Sequence, residues 1–527
     1  MRWFLRLLTG LLTALVLMSP AQALTPAQAQ ALATGEVESR ITALNTVLAG
    51  ADDKTVALIQ AMADDAVKFT DSAVFVMKDG KGYDPVTGAE LPVPEAAEDI
   101  VNNNEMRGEL DVALASIKLF STDAKQRAEA VKTLAGEPSD SKLPLIEKAY
   151  EAETVPAIKE ALGNVRYALL LGSTDKAKRL EATQSLGASG TPATKTLLLE
   201  RLKVETEPDV KAALGVALSA IEGRLAWGER LGVIFTGISL GSILLLVALG
   251  LAITYGLMGV INMAHGELMM VGAYATYVIQ NLFKAYLPGL FDYYVLLAIP
   301  ASFLAAALVG AALERSVIRW LYGRPLETLL ATWGISLVLQ QSVRSIFGAQ
   351  NVPVENPAWL SGGAQAMSNL TLPYNRLAII AFAVLVLAGV SALIAKTRLG
   401  LFVRGVTQNR KMAACVGVNT ARIDTYAFAL GSGIAGLAGC ALSQVGNVGP
   451  DLGQGYIVDS FMVVVLGGVG QLAGTVYAAV GLGVLNKLLE GWQGAVLAKI
   501  MVLVFIVIFI QKRPQGIFAM KGRSAEA

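Results

Sequence analysis

The chain has 527 residues, of which 54% are hydrophobic and 16% charged, and its mean hydropathy is +0.54. This composition is too apolar for a soluble protein of that size and predicts a membrane protein. The formal net charge of +1 gives no reason to expect a nucleic-acid partner, and two cysteines and one histidine exclude a disulfide framework and a multi-histidine metal site.

The first 23 residues have the pattern of a secretory signal peptide. Two arginines precede an apolar run from Leu7 to Met18, and Ala21-Gln-Ala23 supplies the small residues of a cleavage site. The run is shorter than the roughly 20 residues that span a bilayer, and a first membrane anchor is the alternative interpretation. We therefore expect residues 1–23 to be a signal peptide and Leu24 to be the mature N-terminus, outside the cytoplasm.

Residues 24–225 are predicted to form a periplasmic helical domain of solenoid type. This segment is polar and alanine-rich, shows helical periodicity, and contains no apolar run long enough to cross a membrane. Within it, residues 78–94 are rich in Gly, Pro and Asp, which indicates an ordered loop or a short hairpin.

An internal repeat supports the solenoid interpretation. Leu162 and Gly163 recur as Leu214 and Gly215, and Glu153-Thr recurs at position 205, always at a separation of 52 residues. Stacked helix pairs would explain this period, because each unit buries its apolar face against the next one. Chance similarity among alanine-rich helices is the alternative.

Residues 226–527 are predicted to form the membrane domain, so the whole chain is expected to be an all-α, polytopic membrane protein. About nine membrane segments are predicted: Leu231–Ile253, Leu257–Ile279, Tyr293–Leu313, Leu329–Phe347, Leu377–Ala395, Tyr426–Val445, Ile457–Val469, Ala473–Leu489 and Val496–Gln511. The seventh is short for a hydrocarbon core of about 30 Å, and a re-entrant segment with seven crossings in total is the alternative.

Loop charges predict the orientation. The loops at 314–327 and 396–422 are basic, residues 348–375 contain no Lys or Arg, and four basic residues follow position 511. Basic loops stay on the cytoplasmic side of a membrane. An odd number of crossings, with the N-terminal domain in the periplasm and the C-terminus in the cytoplasm, satisfies this rule.

The second predicted segment opens with Asn262, His265 and Glu267. Ionisable groups within a membrane usually face a bundle interior or a water-filled pathway, which makes these residues candidates for a substrate pathway. The alternative is a purely structural helix start, in which Asn262 caps the helix and Glu267 is hydrogen-bonded internally. The other pathway candidates are neutral polar residues within the segments or at their ends, and such a lining favours a small uncharged polar solute over an ion: Thr254, Gln340, Gln444 and Asn447.

The basic loop at 396–422 leads into a glycine-studded apolar helix. Gly431, Ala435 and Gly439 follow each other at four-residue spacing, and small residues in this pattern let membrane helices approach closely. The combination predicts a transport core that moves and a basic cytosolic segment that is attached to it.

Four motifs together resemble the membrane permease of the branched-chain amino acid class of ABC importers. They are Asn262-Met-Ala-His-Gly-Glu267, Thr397-Arg-Leu-Gly400, Leu466-Gly-Gly-Val-Gly-Gln471 and Arg513-Pro-Gln-Gly516. The long secreted N-domain, with Gln471 where amino acid permeases commonly carry Ser, is similar to the urea-transporting branch. The general resemblance covers about residues 232–523, and Met263, where many relatives have Phe, is a conservative difference.

This resemblance implies a non-enzymatic subunit of the bacterial inner membrane that carries urea, and short-chain amides, from periplasm to cytoplasm. It implies as partners a second homologous permease, two cytosolic ATPases and a periplasmic solute-binding protein, besides membrane lipid. The sequence contains no Gly-x-x-x-x-Gly-Lys-[Ser/Thr] phosphate loop, so we expect the partner ATPases to bind ATP. No cofactor or metal is expected in this chain.

The stretch Met412–Val418 resembles the coupling helix that importer permeases dock into the ATPase. Ala414 and Gly417 would fit a groove on the ATPase, and an ordinary solvated basic loop is the alternative. Four basic residues are expected at the rim of that contact: Arg404, Arg410, Lys411 and Arg422.

Two other classes of function remain open besides a branched-chain amino acid permease. A secondary transporter needs coupling-ion carboxylates near the membrane midplane, whereas Glu267, Asp424 and Asp459 lie close to predicted segment ends. A passive channel needs no coupling loop. ATP-dependent uptake separates these cases.

Overall fold

The computed structural model describes residues 24–48, 52–70, 72–78, 80–136, 142–259 and 262–518. The predicted signal peptide, residues 1–23, lies outside this described part. The chain divides into two compact units, Met1–Arg224 and Leu225–Ala527. The structure is mostly helical, and six of its helices are long and apolar enough to cross a membrane, which confirms the predicted polytopic α-helical fold.

The first unit begins with three helices, α1 (Pro26–Ala33), α2 (Val37–Leu48) and α3 (Asp53–Ala63). Asp52 caps α3 by accepting the backbone N–H of Thr55, the usual role of an aspartate at this position. A small antiparallel sheet and helix α4 (Asn104–Lys118) follow.

The sheet has five short strands in the order β4-β3-β2-β1-β5. They are β1 (Val67–Phe69), β2 (Val74–Lys78), β3 (Lys81–Tyr83), β4 (Glu90–Leu91) and β5 (Glu98–Asp99). Gly80, at φ 79°, lies in the turn between β2 and β3 and adopts a conformation that favours glycine. The predicted loop or hairpin at residues 78–94 is therefore a hairpin, and it belongs to a sheet that the sequence analysis did not predict.

The 52-residue repeat appears as two similar sets of helices. The first set is α5 (Ala124–Gly136), α6 (Leu143–Ala152) and α7 (Pro156–Leu170). The second set is α8 (Lys176–Ser189), α9 (Pro192–Val204) and the start of α10 (Pro208–Met258). Corresponding helices begin 52 residues apart at positions 124 and 176 and at positions 156 and 208.

Each repeat contains the same Arg–Glu ion pair, in which the glutamate is buried. Arg127 Nε lies 2.8 Å from Glu153 Oε2, and Arg179 Nε lies 3.0 Å from Glu205 Oε2. Each glutamate also accepts two backbone N–H groups at the start of the next helix. The hydrogen bond from Arg127 lowers the pKa of Glu153 to about 2. Burial alone would raise the pKa of Glu205, but hydrogen bonds from Arg201 and the backbone lower it to about 2.

The second unit is built from the continuation of α10 and the helices that follow it. These are α11 (His265–Tyr286), α12 (Tyr294–Ser316), α13 (Pro325–Phe347), α14 (Tyr374–Lys396), α15 (Arg398–Gln408), α16 (Arg410–Cys415), α17 (Thr420–Ser443), α18 (Leu452–Gly467), α19 (Leu472–Gln493) and α20 (Ala495–Lys512). A hairpin of β6 (Gly363–Met367) and β7 (Leu370–Pro373) precedes α14.

Each predicted membrane segment coincides with one helix of the described chain. The six that are long and apolar enough to cross a membrane are Pro208–Gly256, Pro288–Ser316, Tyr374–Lys396, Thr420–Ser443, Leu472–Gln493 and Ala495–Lys512. The short seventh segment is α18, an apolar helix of 16 residues. The helices at the second and fourth predicted segments, α11 and α13, are not among the six, so the described residues support fewer than the nine membrane segments predicted. The second helix begins at His265 rather than at the predicted Leu257, because the chain leaves the helical conformation at Gly259, where φ is +64°.

Helices α11 and α17 pack with their backbones in close contact. A Cβ atom at Gly272 would lie 2.2 Å from the carbonyl oxygen of Gly436, and one at Gly439 would lie 2.0 Å from that of Met269. No residue larger than glycine fits such a crossing without a backbone shift. The predicted close approach of the glycine-studded helix is therefore present, and it holds α11 in a fixed place in the core.

Candidate functional site

The first turn of α11 lies against the polar face of α13. Asn262 Oδ1 accepts the backbone N–H of Ala264 at 3.0 Å, and the N–H of Met263 donates to Thr332 Oγ1 at 3.2 Å. Asn262 therefore stabilises the turn before the helix, but it does not cap α11, whose N-cap residue is Ala264 and has no side-chain cap hydrogen bond. Its Nδ2 group is buried and has no hydrogen-bond partner in the described part of the chain.

Glu267 is bonded to a neighbouring helix and not within its own. Its Oε1 accepts hydrogen bonds from Ser336 Oγ and from Gln340 Nε2, both at 2.5 Å. The residue is 1% exposed, and its Oε2 has no partner among the described residues. A buried carboxylate with one oxygen unsatisfied is costly in energy and is typical of a functional position. The structure thus brings together two predicted pathway residues, Glu267 and Gln340.

Most of the polar face that receives Glu267 was not predicted from the sequence. Buried polar side chains recur every fourth residue along α13, at Thr328, Thr332, Ser336 and Gln340. This spacing places all of them on one side of the helix. Such a polar stripe within an apolar segment is a recognisable signal in the sequence.

His265 and Thr254 lie apart from that cluster and face other partners. The His265 ring is fully buried, and its Nε2 lies 3.1 Å from the carbonyl oxygen of Val247 in α10. Thr254 donates to the carbonyl oxygens of Gly250 and Leu251 within its own helix. The His265 contact joins α11 to α10, whereas the Thr254 contacts stay within α10, and neither involves another predicted pathway residue.

A second polar group surrounds Gln444. Its side-chain amide exchanges hydrogen bonds with the Tyr294 hydroxyl at 3.1 and 3.2 Å and donates to Ser443 Oγ at 3.2 Å. Asn375 Nδ2 donates to the backbone oxygen of Gln444 at 3.0 Å. Asn447 is exposed after the end of α17 and does not join this group. The predicted pathway residues therefore fall into several separate places.

An apolar cavity lies beside the first turn of α11. Asn262 is the polar side chain in its lining, and the other residues are Leu251, Met263, Leu329, Ile457, Val458 and Phe461. A pocket with apolar walls and one orienting polar group suits an aliphatic ligand group.

The basic loop at 396–422, here called the coupling segment, contains two short helices, and the predicted coupling helix Met412–Val418 comprises the end of the second one and the turn after it. Thr397 caps α15 by accepting the N–H of Gly400, and Asn409 caps α16 by accepting the N–H of Met412. Ala414 is exposed on α16, and Gly417 follows the helix with φ +89°. An exposed small residue beside a glycine turn presents a surface that another protein can approach closely.

The four basic residues expected at the rim differ in their contacts. Arg404, Lys411 and Arg422 are exposed, as a rim position requires. Arg410 is exposed as well, with 41% of its side chain accessible, but it forms an ion pair with the fully buried carboxylate of Asp424. Its guanidinium is thereby held against α17, a contact that the expected rim position does not include.

Comparison with known proteins identifies relatives of the second unit. A family model described as "Branched-chain amino acid transport system / permease component" matches residues 233–510. The high-affinity branched-chain amino acid transport system permease protein LivH of Escherichia coli (strain K12) is 28% identical over 293 residues, which are 54% of this chain and 93% of the relative. BraD of Pseudomonas aeruginosa, a permease protein of the same description, is 28% identical over 285 residues, 53% of this chain and 93% of the relative. No solved structure matches the chain.

Proposed function

This chain belongs to the branched-chain amino acid ABC permease family, and we propose that it forms the pathway of an importer for small solutes. The favoured substrate is a branched-chain amino acid. The family match carries the proposal. It includes every predicted membrane segment apart from the outermost residues of the first and last.

The site geometry supports an amino acid more than the uncharged solute that the sequence analysis favours. The buried carboxylate of Glu267, with one oxygen unpartnered in the described chain, is suited to an ammonium group. The apolar cavity at Asn262 is suited to an aliphatic side chain, since burial of apolar surface contributes about 25 cal/mol per Å². The names of the relatives favour the same substrate.

The remaining parts of the importer follow from the same proposal. A second permease subunit would complete the pathway, two cytosolic ATPases would dock at α16, and a periplasmic protein would deliver the solute. The loop charges favour a cytoplasmic position for α15 and α16 and a periplasmic position for the first unit, at the inner membrane. In this arrangement the ATPases bind ATP and this chain moves the solute.

Urea is the second candidate substrate. The group around Gln444 offers neutral hydrogen-bonding side chains and no charge, which suits a small polar molecule. Gln471 and the long first unit, which lies outside the family match, also resemble the urea-transporting branch.

Uptake measurements in a strain lacking this reading frame distinguish the two substrates. We expect uptake of labelled leucine to fall to background and growth on low urea to stay unchanged, with leucine uptake restored by the reintroduced gene. Loss of urea uptake with normal leucine uptake would instead establish urea. If neither changes, the proposed importer function is wrong.

A further inference from the structure

Two buried carboxylates lie where α12 ends and α17 begins. The side chains of Glu314 and Asp424 are both 0% exposed. A charge that is removed from water persists only when it is paired and hydrogen-bonded, so the partners of these two groups show what the structure holds together here.

Glu314 connects the end of α12 with the first turns of α17. Its Oε2 lies 3.2 Å from Arg319 Nη2 and accepts the Thr425 hydroxyl at 2.7 Å. Its Oε1 accepts the Tyr322 hydroxyl at 3.0 Å. Arg319 Nη2 in turn donates to Thr425 Oγ1 at 3.0 Å, which closes a ring of hydrogen bonds.

Asp424 connects the same place with the coupling segment. Both of its oxygens accept hydrogen bonds from the guanidinium of Arg410, the first residue of α16. The guanidinium carbon of Arg410 also lies 5.2 Å from the centroid of the Tyr322 ring. A planar guanidinium that is bonded through two nitrogens and stacked on a ring is fixed in orientation as well as in position.

The other face of the coupling segment carries exposed apolar side chains in the described part of the chain. Met412 is 60% exposed and Val416 is 72% exposed, and both are large apolar residues. Arg410 thus holds one end of α16 to the membrane helices, while apolar side chains nearby remain available for contact with another protein.

Helices α12 and α17 also pack closely at positions outside this cluster. A Cβ atom at Gly436 would lie 2.4 Å from the carbonyl oxygen of Ser302, and one at Gly310 would lie 2.1 Å from Ser432 Oγ. The two helices are thus in close contact away from the cluster, and the cluster adds a connection from their ends to α16.

We propose that Arg410 and Asp424, together with Glu314, are positioning residues that transmit the movement of α16 to the α12–α17 pair. Displacement of α16 by a bound ATPase pulls on Asp424 through Arg410 and on the end of α12 through Tyr322 and Glu314. This inference rests on the proposed importer function, and it assigns the transmission to a defined set of side chains.

The test uses the complete importer in proteoliposomes, with ATP hydrolysis and solute uptake measured on the same preparation. We expect Asp424→Asn and Arg410→Gln to retain ATP hydrolysis within about twofold and to lower uptake per ATP hydrolysed at least tenfold. The double variant with Arg410→Asp and Asp424→Arg should recover part of that ratio, because it restores an ion pair between the two positions. A merely structural role would lower hydrolysis and uptake together.

Glu327→Gln is the matched control, because Glu327 forms an ion pair with Arg324 in the same region with 57% and 64% of the two side chains exposed. Its uptake per ATP should equal that of the unaltered importer. An unchanged ratio in both single variants, or loss of bound ATPase from them, overturns the inference. Absence of ATP-driven uptake of leucine and urea by the unaltered importer overturns the proposed function itself.

Discussion

The two units bury charge in different ways. The first unit buries an Arg–Glu pair twice, at Arg127–Glu153 and Arg179–Glu205, with the same backbone contacts in each repeat. The second unit buries Glu314 and Asp424 once, at a point where three separate segments meet. A buried pair that recurs with the repeat specifies the fold of that repeat, whereas one that occurs once between elements of unlike role is a candidate for function.

The largest effect should follow from breaking a repeated pair. Arg179→Leu leaves Glu205 buried with Arg201 as its remaining charged partner, and we expect a cost of about 3 kcal/mol, the lower end for a broken buried pair. The temperature at which the first unit unfolds should fall by several degrees. Protease resistance of the purified chain at increasing temperature measures this change.

Arg107→Leu is the control for that change, because its ion pair with Asp65 is about half exposed and should contribute roughly 0–1 kcal/mol. Uptake per folded transporter at a permissive temperature should be unchanged in both variants. A transport defect in Arg179→Leu without loss of stability would contradict the distinction between the two kinds of buried charge.

Glu267→Gln should show the opposite behaviour. The amide keeps the size of the side chain but removes the charge that we assign to the substrate ammonium group, and the loss of one such contact should lower leucine uptake about tenfold. Stability should change little, since Ser336 and Gln340 can still hydrogen-bond to the amide. Leucine uptake equal to that of the unaltered protein would remove Glu267 from the pathway.

The coupling surface provides a smaller effect. Ala414→Trp places a large side chain on the exposed face of α16 and should reduce ATPase docking and uptake severalfold, as measured by co-purification and by transport. Gly417→Trp should also abolish transport, but this loss would have two causes. Besides blocking the contact, any side chain at a backbone φ of +89° destabilises the turn by roughly 1–2 kcal/mol. Gly417→Ala measures that backbone cost alone, and normal docking of Ala414→Trp would place the contact elsewhere.

Lowering the pH should have the smallest effect, and it should reduce the stability of the two helical repeats only. The folded-state pKa values of Glu153 and Glu205 are about 2, below the ordinary value of 4.5. Both groups therefore contribute their stabilisation fully above pH 4.5 and lose it as the pH falls toward 2. Protease resistance of the first unit should be constant from about pH 7 to 5 and decline below about pH 4. A decline that begins near neutral pH would indicate a different titrating group.

Regular patterns in the sequence predicted most of the fold. The nine apolar segments, the spacing of Gly431, Ala435 and Gly439 on α17 and the 52-residue period are local or periodic, so they can be recognised without knowledge of tertiary contacts. The five-stranded sheet was missed because its strands have two to five residues, too few to show an alternating pattern.

The candidate site was predictable only in part. Glu267 and Gln340 stood out as polar residues in apolar segments, and the structure brings them together. Asp424 contacts Arg410 only because α16 folds back against α17. Glu314 contacts Thr425, which lies 111 positions later in the sequence. Single-sequence patterns carry no information about such distant contacts.

The backbone contact between α11 and α17 has a mechanical consequence. At Gly272, Gly436 and Gly439 no side chains lie between the two helices, so no change of rotamer there could let the helices slide past each other. We therefore expect the two helices to move together as one rigid body, so that any opening or closing of the proposed pathway would occur at their ends. The turn at Gly259, before α11, is one such place, because its backbone already adopts a conformation that other residues avoid.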